Sequence, residues 1–446
     1  MNHLALLSIA IGLIYWSNHN SILFAATGFS IVGYVATNWL IPRVSSSFIK
    51  IGLHGKDMSK PGKPLLPETI GAISATVYLF VMFFYVPFIF YKYLVVMTSG
   101  GGHRDVSVLE SNDEYLFPHG KLSEYLSAVL CLESTVLLGV ADDLFDLRWR
   151  HKFFLPAVAA IPLLVVYYVD FGVTHVLVPD FLRKLWGFSR SAIDLGAFYY
   201  CYMGAVAIFC PNSINILAGV NGLEVGQSIV LGFIFLINDV LYLTMGPEAA
   251  KESHRFSAVL IIPFLGVSLA LWNYNRWPAK VFVGDTYCYF AGMVFAVVGI
   301  LGHFSKTTLL FFIPQVLNFI YSVPQLFHLL PCPRHRLPRF NEEDGLMYPS
   351  KADFTNKAPN RIVTGVLKTM SNLNLIYLEC DKHGNITHCS NMTLINLVLV
   401  WFGPLREDKL CYTILLMQFS IGIAAIAARH AIGSMVFGND NLWSVV

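Results

Sequence analysis

Long uncharged apolar runs, separated by short charged segments, dominate this chain of 446 residues. They fall near 21–42, 69–97, 122–141, 154–171, 194–218, 226–245, 256–274, 286–303, 307–330 and 410–430. A bilayer core of roughly 30 Å is crossed by about 20 apolar residues in helical form. Helices are the natural spanning element because they satisfy their own backbone groups. The pattern therefore predicts an all-α polytopic membrane protein with about ten transmembrane helices. The first apolar run, Leu4 to Trp16, is too short to span and reads as an N-terminal extension over residues 1–20. Ile395 to Trp401 is also too short, and suits an interfacial or re-entrant helix.

Residues 331–409 form the only sizeable soluble piece, a small mixed α/β insertion between the last two spans. A helix is expected near 360–372, and "LIYLECDKHGNITHC" reads as two short strands around a His-Gly-Asn turn. The expected organisation is a transmembrane core over 21–330, a loop domain over 331–409, a last helix over 410–430 and a tail over 431–446.

Composition agrees with the pattern. Hydrophobic residues make up 55% and charged residues 13%, with a mean hydropathy of +0.59. A soluble domain carries about a quarter charged residues, so an ordinary soluble enzyme is excluded. The net charge of +2 gives no reason to expect a nucleic-acid partner. Its distribution is more informative. Ten spans sort the connecting segments into two sets, one holding Arg43, Lys50, Lys56, Lys60, Lys63, Arg148, Arg150, Lys152, Arg276, Lys280 and the basic residues from Arg334 to Lys409. The other set is poorer in Lys and Arg, so the positive-inside rule places the first in the cytosol and both termini across the membrane. The eight cysteines suggest no disulfide framework, since most lie in apolar runs or in the predicted reducing compartment.

Ionisable groups at a membrane are costly and tend to mark function. Four places carry them, all on the predicted cytosolic side. In "GVADDLFDLRWRHK", Asp142, Asp143 and Asp146 stand three and four residues apart, on one face if the helix continues. Clustered carboxylates suit Mg²⁺, and Arg148, Arg150 and Lys152 add anion-binding groups beside them. A solvated helix end with topogenic basic residues is the competing reading. In "CPNSINILAGVNGLEVGQ", Asn212, Asn215 and Asn221 are candidates for metal coordination and base recognition, against capping and an Asn-Gly turn. In "VFVGDTYCYFAGM", Asp285 opens a span and is either a functional carboxylate or an ordinary N-cap. Phe282 beside it can stack on a nucleobase or face lipid. In "PCPRHRLPRF", Arg334, His335, Arg336 and Arg339 form either a phosphate-binding cluster or a positive-inside anchor.

The order of these four motifs resembles that of the polyprenyl-phosphate N-acetylhexosamine-1-phosphate transferases. The "PRHR" form and "MTLINL" before the last span are similar to the eukaryotic branch, which opens N-glycan assembly at the endoplasmic reticulum. The resemblance runs from about Ile22 to Arg429. It implies Asp285 and Asn215 as Mg²⁺ ligands, Lys152 as a phosphate contact, and Asp142 and Asp143 as the essential aspartate pair. It implies Asn221 and Phe282 as uridine contacts, with Glu68 and the stretch Lys56, Asp57, Met58 near the nucleotide. Arg334, His335 and Arg336 match the loop that holds the diphosphate and sugar. Asp146 and Asn212 join the substrate side, although Asp146 and Lys56 are positions at which the branch varies. The substrates implied are UDP-N-acetylglucosamine and dolichyl phosphate among membrane lipids, and a homodimer is among the assemblies it allows. Two other readings are a bacterial-type transferase acting on undecaprenyl phosphate, and a transporter with charges lining an ion path.

Overall fold

A computed structural model of the chain describes residues 3–17, 21–90, 118–145, 147–179, 183–185, 192–333, 336–354, 359–382 and 385–437. All ten apolar runs contain helix. The principal helices are Ile22–Lys50, Gly71–Ile89, His119–Phe145, Ala197–Ile216, Leu223–Met245, Glu248–Asn275, Gly284–Leu301 and Glu407–Phe437.

The expected count of ten spans is not confirmed. Six of these helices are long and apolar enough to cross a membrane, and a seventh span arises if Ser305–Phe311 and Ile313–Leu326 act together. The reasons are local. Tyr199, Tyr200, Tyr202 and two asparagines dilute the apolarity of helix 197–216, while helix 119–145 is not among those that qualify. Prolines break the other two runs, because proline lacks an N–H and clashes with the preceding turn. Pro162 sits in the first turn of Ile161–Asp170, just after the short helix Leu155–Ala159. Pro314 opens helix 313–326, which turns 70° away from helix 305–311.

Helix 284–301 is the axis of the fold, with every residue from Thr286 to Leu301 buried. Helices 71–89, 119–145, 197–216 and 248–275 pack around it. Its crossing with helix 119–145 is close: a Cβ at Gly139 would come within 2.5 Å of Thr286 Cα. That approach sets the aspartates at the end of one helix against the start of the other. The first apolar run is a helix, His3–Ser17, packed on helix 22–50.

The 331–409 insertion is mixed α/β, as expected. Strand Leu378–Cys380 pairs with Ile386–Ser390, which also pairs with Lys351–Asp353, and the helix Arg361–Asn372 precedes them. The short run forms helix Leu394–Phe402, buried over its first six residues. Met347 and Leu405 pair through their backbones, tying the insertion to the base of the last helix. All eight cysteines are free thiols.

Candidate active site

Helices 119–145 and 197–216 run antiparallel to helix 284–301, so their ends lie beside its start. Three of the four motifs build the charged cluster at this end, and Leu337 of the fourth packs against Gly219 of the second. Lys152 follows helix 119–145 and reaches back into the crossing. Its ammonium lies 2.8 Å from Asp285 Oδ2 and 3.0 Å from Asp142 Oδ2. Burial works against the charged lysine, but the hydrogen bonds and charges of Asp285 and Asp142 outweigh it and raise its pKa. Lys152 is thus a fixed cation at neutral pH.

The two adjacent aspartates have different surroundings. Asp143 accepts from the backbone N–H of Asp285 at 2.8 Å, the N–H of Thr286 at 3.2 Å and the Thr286 hydroxyl at 2.6 Å. It caps helix 284–301 from a different helix, satisfying donors that the helix start leaves open. Gly284 makes this possible. Its φ is +74°, and a Cβ there would stand 2.5 Å from Asp143 Oδ2. Asp142 accepts from Leu147 N–H at 3.1 Å through Oδ1. Its buried Oδ2, though beside the ammonium, has no aligned hydrogen-bond donor among the described residues. Asn215 hydrogen-bonds to Asp285 from helix 197–216.

Next to this cluster is a cavity of about 370 Å³. Lys56, Asp57, Met58, Glu68, Asn215, Asn221, Phe282 and Asp285 all line it. Residues predicted from four separate stretches of sequence therefore share one space. Phe282 is set by backbone pairing, donating to Pro67 and accepting from Ile70. Its ring lies against Gly55, where a Cβ would be 3.2 Å from the ring and from Glu68 Oε2. Burial, with the charges of Asp143 and Asp285 nearby, pushes the Glu68 carboxyl above its ordinary value.

Asn212 is placed differently. It is absent from the cavity lining, and its amide donates to the carbonyls of Ile208 at 2.8 Å and Phe153 at 3.3 Å. It braces the segment after Lys152 rather than facing the cavity. Asp146, Arg334 and His335 lie outside the described residues. Arg336 is described, and its Nη1 is buried with no hydrogen-bond partner among the described residues.

Three residues that the sequence reading passed over belong to the site. Glu224 accepts from Gly219 N–H at 2.8 Å and shapes the loop carrying Asn221. Glu407 accepts from Asn221 N–H at 2.9 Å and pairs with Lys60, whose ammonium is also 3.4 Å from Asp57. The sequence signal for Glu407 was an acidic pair in the first turn of a span, which ordinarily means only favourable helix-dipole placement.

Comparison with known proteins fits this arrangement. Residues 125–303 match the Glycosyl transferase family 4 model. The chain is 71% identical to the UDP-N-acetylglucosamine–dolichyl-phosphate N-acetylglucosaminephosphotransferase of Saccharomyces cerevisiae, over 97% of each chain. The chain belongs to the dolichyl-phosphate N-acetylglucosaminephosphotransferase family. It is 52% identical to the Schizosaccharomyces pombe member over 94% of each chain. With the Dictyostelium discoideum member it shares 39% identity, over 90% of this chain and 88% of that one. It is thus a transferase of the membrane-embedded kind, and the phosphotransferase family supplies the setting in which its cavity is read.

The donor set has the chemistry of a hard-cation site. Asp285, Asp142 Oδ2 beside the Lys152 ammonium, and the Asn215 amide offer oxygen ligands only. Among the described residues no three His, Cys, Asp or Glu side chains gather as a ready metal cluster. Mg²⁺ is commonly held by one or two carboxylates and completed by substrate phosphates and water, which this set matches.

Proposed function

We propose that this protein transfers N-acetylglucosamine-1-phosphate from UDP-N-acetylglucosamine to dolichyl phosphate, giving dolichyl-diphospho-N-acetylglucosamine and UMP. The observation that carries the reading is the Lys152 ammonium between Asp142 and Asp285, at the edge of a cavity lined by Phe282 and Asn221. The cavity offers an aromatic face and amide groups for a nucleobase at one side. At the other it offers a fixed cation and oxygen ligands for a diphosphate.

The reaction brings an anionic lipid phosphate onto an anionic diphosphate. Such transfers depend mainly on in-line positioning and charge neutralisation. Lys152 offsets the converging negative charge, and the half-buried Arg336, next to the cavity-lining Leu337, adds a second cation. Asp285 and Asn215, with Asp142 beside them, are the residues that would hold Mg²⁺, which would supply further neutralisation of diphosphate charge. A dolichyl phosphate oxygen is already ionised at pH 7, so no strong general base is required. It attacks the β-phosphorus directly; the new P–O bond forms as the bond to UMP breaks, and the electron pair leaves on UMP. Asp143 is committed to capping and holds Asp285 in place, while Asp142 orients the lysine and the acceptor.

The positive-inside bias supports a cytosolic position for this end of the helices, and the resemblance to the eukaryotic branch supports an endoplasmic reticulum membrane. A water-soluble nucleotide sugar and a lipid headgroup can meet there. The test is turnover by purified protein in lipid with both substrates, following UMP release with and without Mg²⁺. UMP release that needs dolichyl phosphate and Mg²⁺ is expected. Release without the lipid, or equal rates in excess chelator, would overturn the acceptor or the metal assignment respectively.

A further inference from the structure

A first-turn acid normally serves its own helix, but Glu407 reaches across to another part of the chain. It is buried at the start of helix 407–437, and both its oxygens are used. Oε1 accepts from the backbone N–H of Asn221 at 2.9 Å, and Oε2 pairs with Lys60. Lys60 and Arg406 both lie over the Trp277 ring, at 5.7 and 4.8 Å.

The contact fixes more than a loop. Asn221 Oδ1 accepts from Ala279 N–H at 2.9 Å. A backbone N–H can only donate, so this bond settles which end of the amide is oxygen. With the main chain held by Glu407 and the oxygen held by Ala279, Nδ2 remains as the polar group Asn221 can turn to the cavity it lines. It is a donor only. The matching feature on a ligand is an acceptor, such as a pyrimidine carbonyl oxygen.

We infer that Glu407 is a positioning residue for nucleotide recognition: the last membrane helix, through Glu407, holds Asn221 with its amide NH₂ aimed at the base. The inference rests on the proposed use of the cavity for a UDP-sugar, and it assigns Glu407 no contact with the reacting phosphates. Its role is therefore confined to donor binding. Removing the acceptor should weaken binding in ground state and transition state alike, so KM rises with kcat preserved.

Three variants separate reach, charge and fold. Glu407→Gln keeps an acceptor at the right distance but removes the charge. Glu407→Asp keeps the charge for Lys60 but withdraws the acceptor by about one C–C bond. Glu407→Ala removes both. For Asp and Ala we expect KM for UDP-N-acetylglucosamine to rise about tenfold, the usual scale for an orphaned buried donor. For both, kcat and KM for dolichyl phosphate stay within about twofold of the parent. For Gln we expect recovery to within about threefold of the parent KM. UDP-N-acetylglucosamine should also protect the Asp variant from thermal unfolding less than it protects the Gln variant, a readout independent of turnover. The inference fails if Asp matches the parent, if Gln is as impaired as Asp, or if kcat falls while KM holds. Failure of the parent protein to release UMP from the nucleotide sugar would instead remove the proposed function itself.

Discussion

Asp143 caps the helix that begins beside Asp285, accepting the Asp285 backbone N–H at 2.8 Å from the end of a different helix. The first aspartate of the pair is aimed at Lys152 and the second at a helix terminus. Two neighbouring, chemically identical side chains therefore have separable tasks.

Substitution should separate them. Asp142→Asn leaves the crossing intact, so the melting temperature should stay near the parent value while turnover collapses. Asp143→Ala removes a cap with three donors, and a single lost cap already costs about 1 kcal/mol. Its melting temperature should drop by several degrees along with activity. Paired melting curves and UMP assays check this, and equal stability losses in the two variants would contradict the division.

Lys152→Ala leaves Asp142 and Asp285 facing each other without their shared cation. We expect turnover to fall by at least about a hundredfold, since repulsion between converging phosphates is strong where water is scarce. Lys152→Arg restores charge but not the compact ammonium, and should recover only part of the loss. Initial rates at saturating substrates are the measurement. Full activity in Lys152→Ala would remove the lysine from the mechanism.

Direct attack by the lipid phosphate predicts no phosphoryl-enzyme. Protein mixed with UDP-N-acetylglucosamine alone should show no stoichiometric burst of UMP, and the configuration at phosphorus should invert in full turnover. Trapped sugar phosphate on Asp142 would make that carboxylate a nucleophile instead. Asp143 is the poorer candidate because its oxygens already accept three hydrogen bonds.

Asn385-Ile-Thr387 and Asn391-Met-Thr393 both match the glycosylation acceptor pattern. The assigned orientation keeps both in the cytosol, so mass spectrometry of the native protein should find neither modified. Asn391 is also buried, donating to Ser350 and accepting from Gln325 at 2.8 Å each. Asn385 is the sharper probe because it is exposed. A glycan there would reverse the orientation.

The legible part of this site was the part where charge interrupts an apolar chain. Asp142, Asp285 and Lys152 stood out because a membrane protein has little reason to place ions at its helix ends. Their convergence followed from motifs that recur at alternate ends of successive spans. Asn212 was misleading because a buried amide bonding the preceding turn looks the same in sequence as one facing a ligand. Glu407 was hidden for the opposite reason: beside Arg406 and Asp408 it resembles a solvated turn, and only the fold buries it against Asn221 and Lys60. The span count suffered because hydropathy averages across the breaks at Pro162 and Pro314, whereas the backbone cannot.

The wide separation in sequence of the residues around the cavity has a consequence for biosynthesis. The cavity takes Lys56 from an early loop, Asn221 and Asp285 from the middle of the chain, and its Asn221 anchor from Glu407 on the final helix. A nascent chain still emerging from the ribosome, with its last helix unthreaded, holds the aspartate cluster but lacks that anchor. Full affinity for the nucleotide sugar thus waits on helix 407–437, because a polypeptide terminated before Glu407 would lack the contact that holds Asn221 in place.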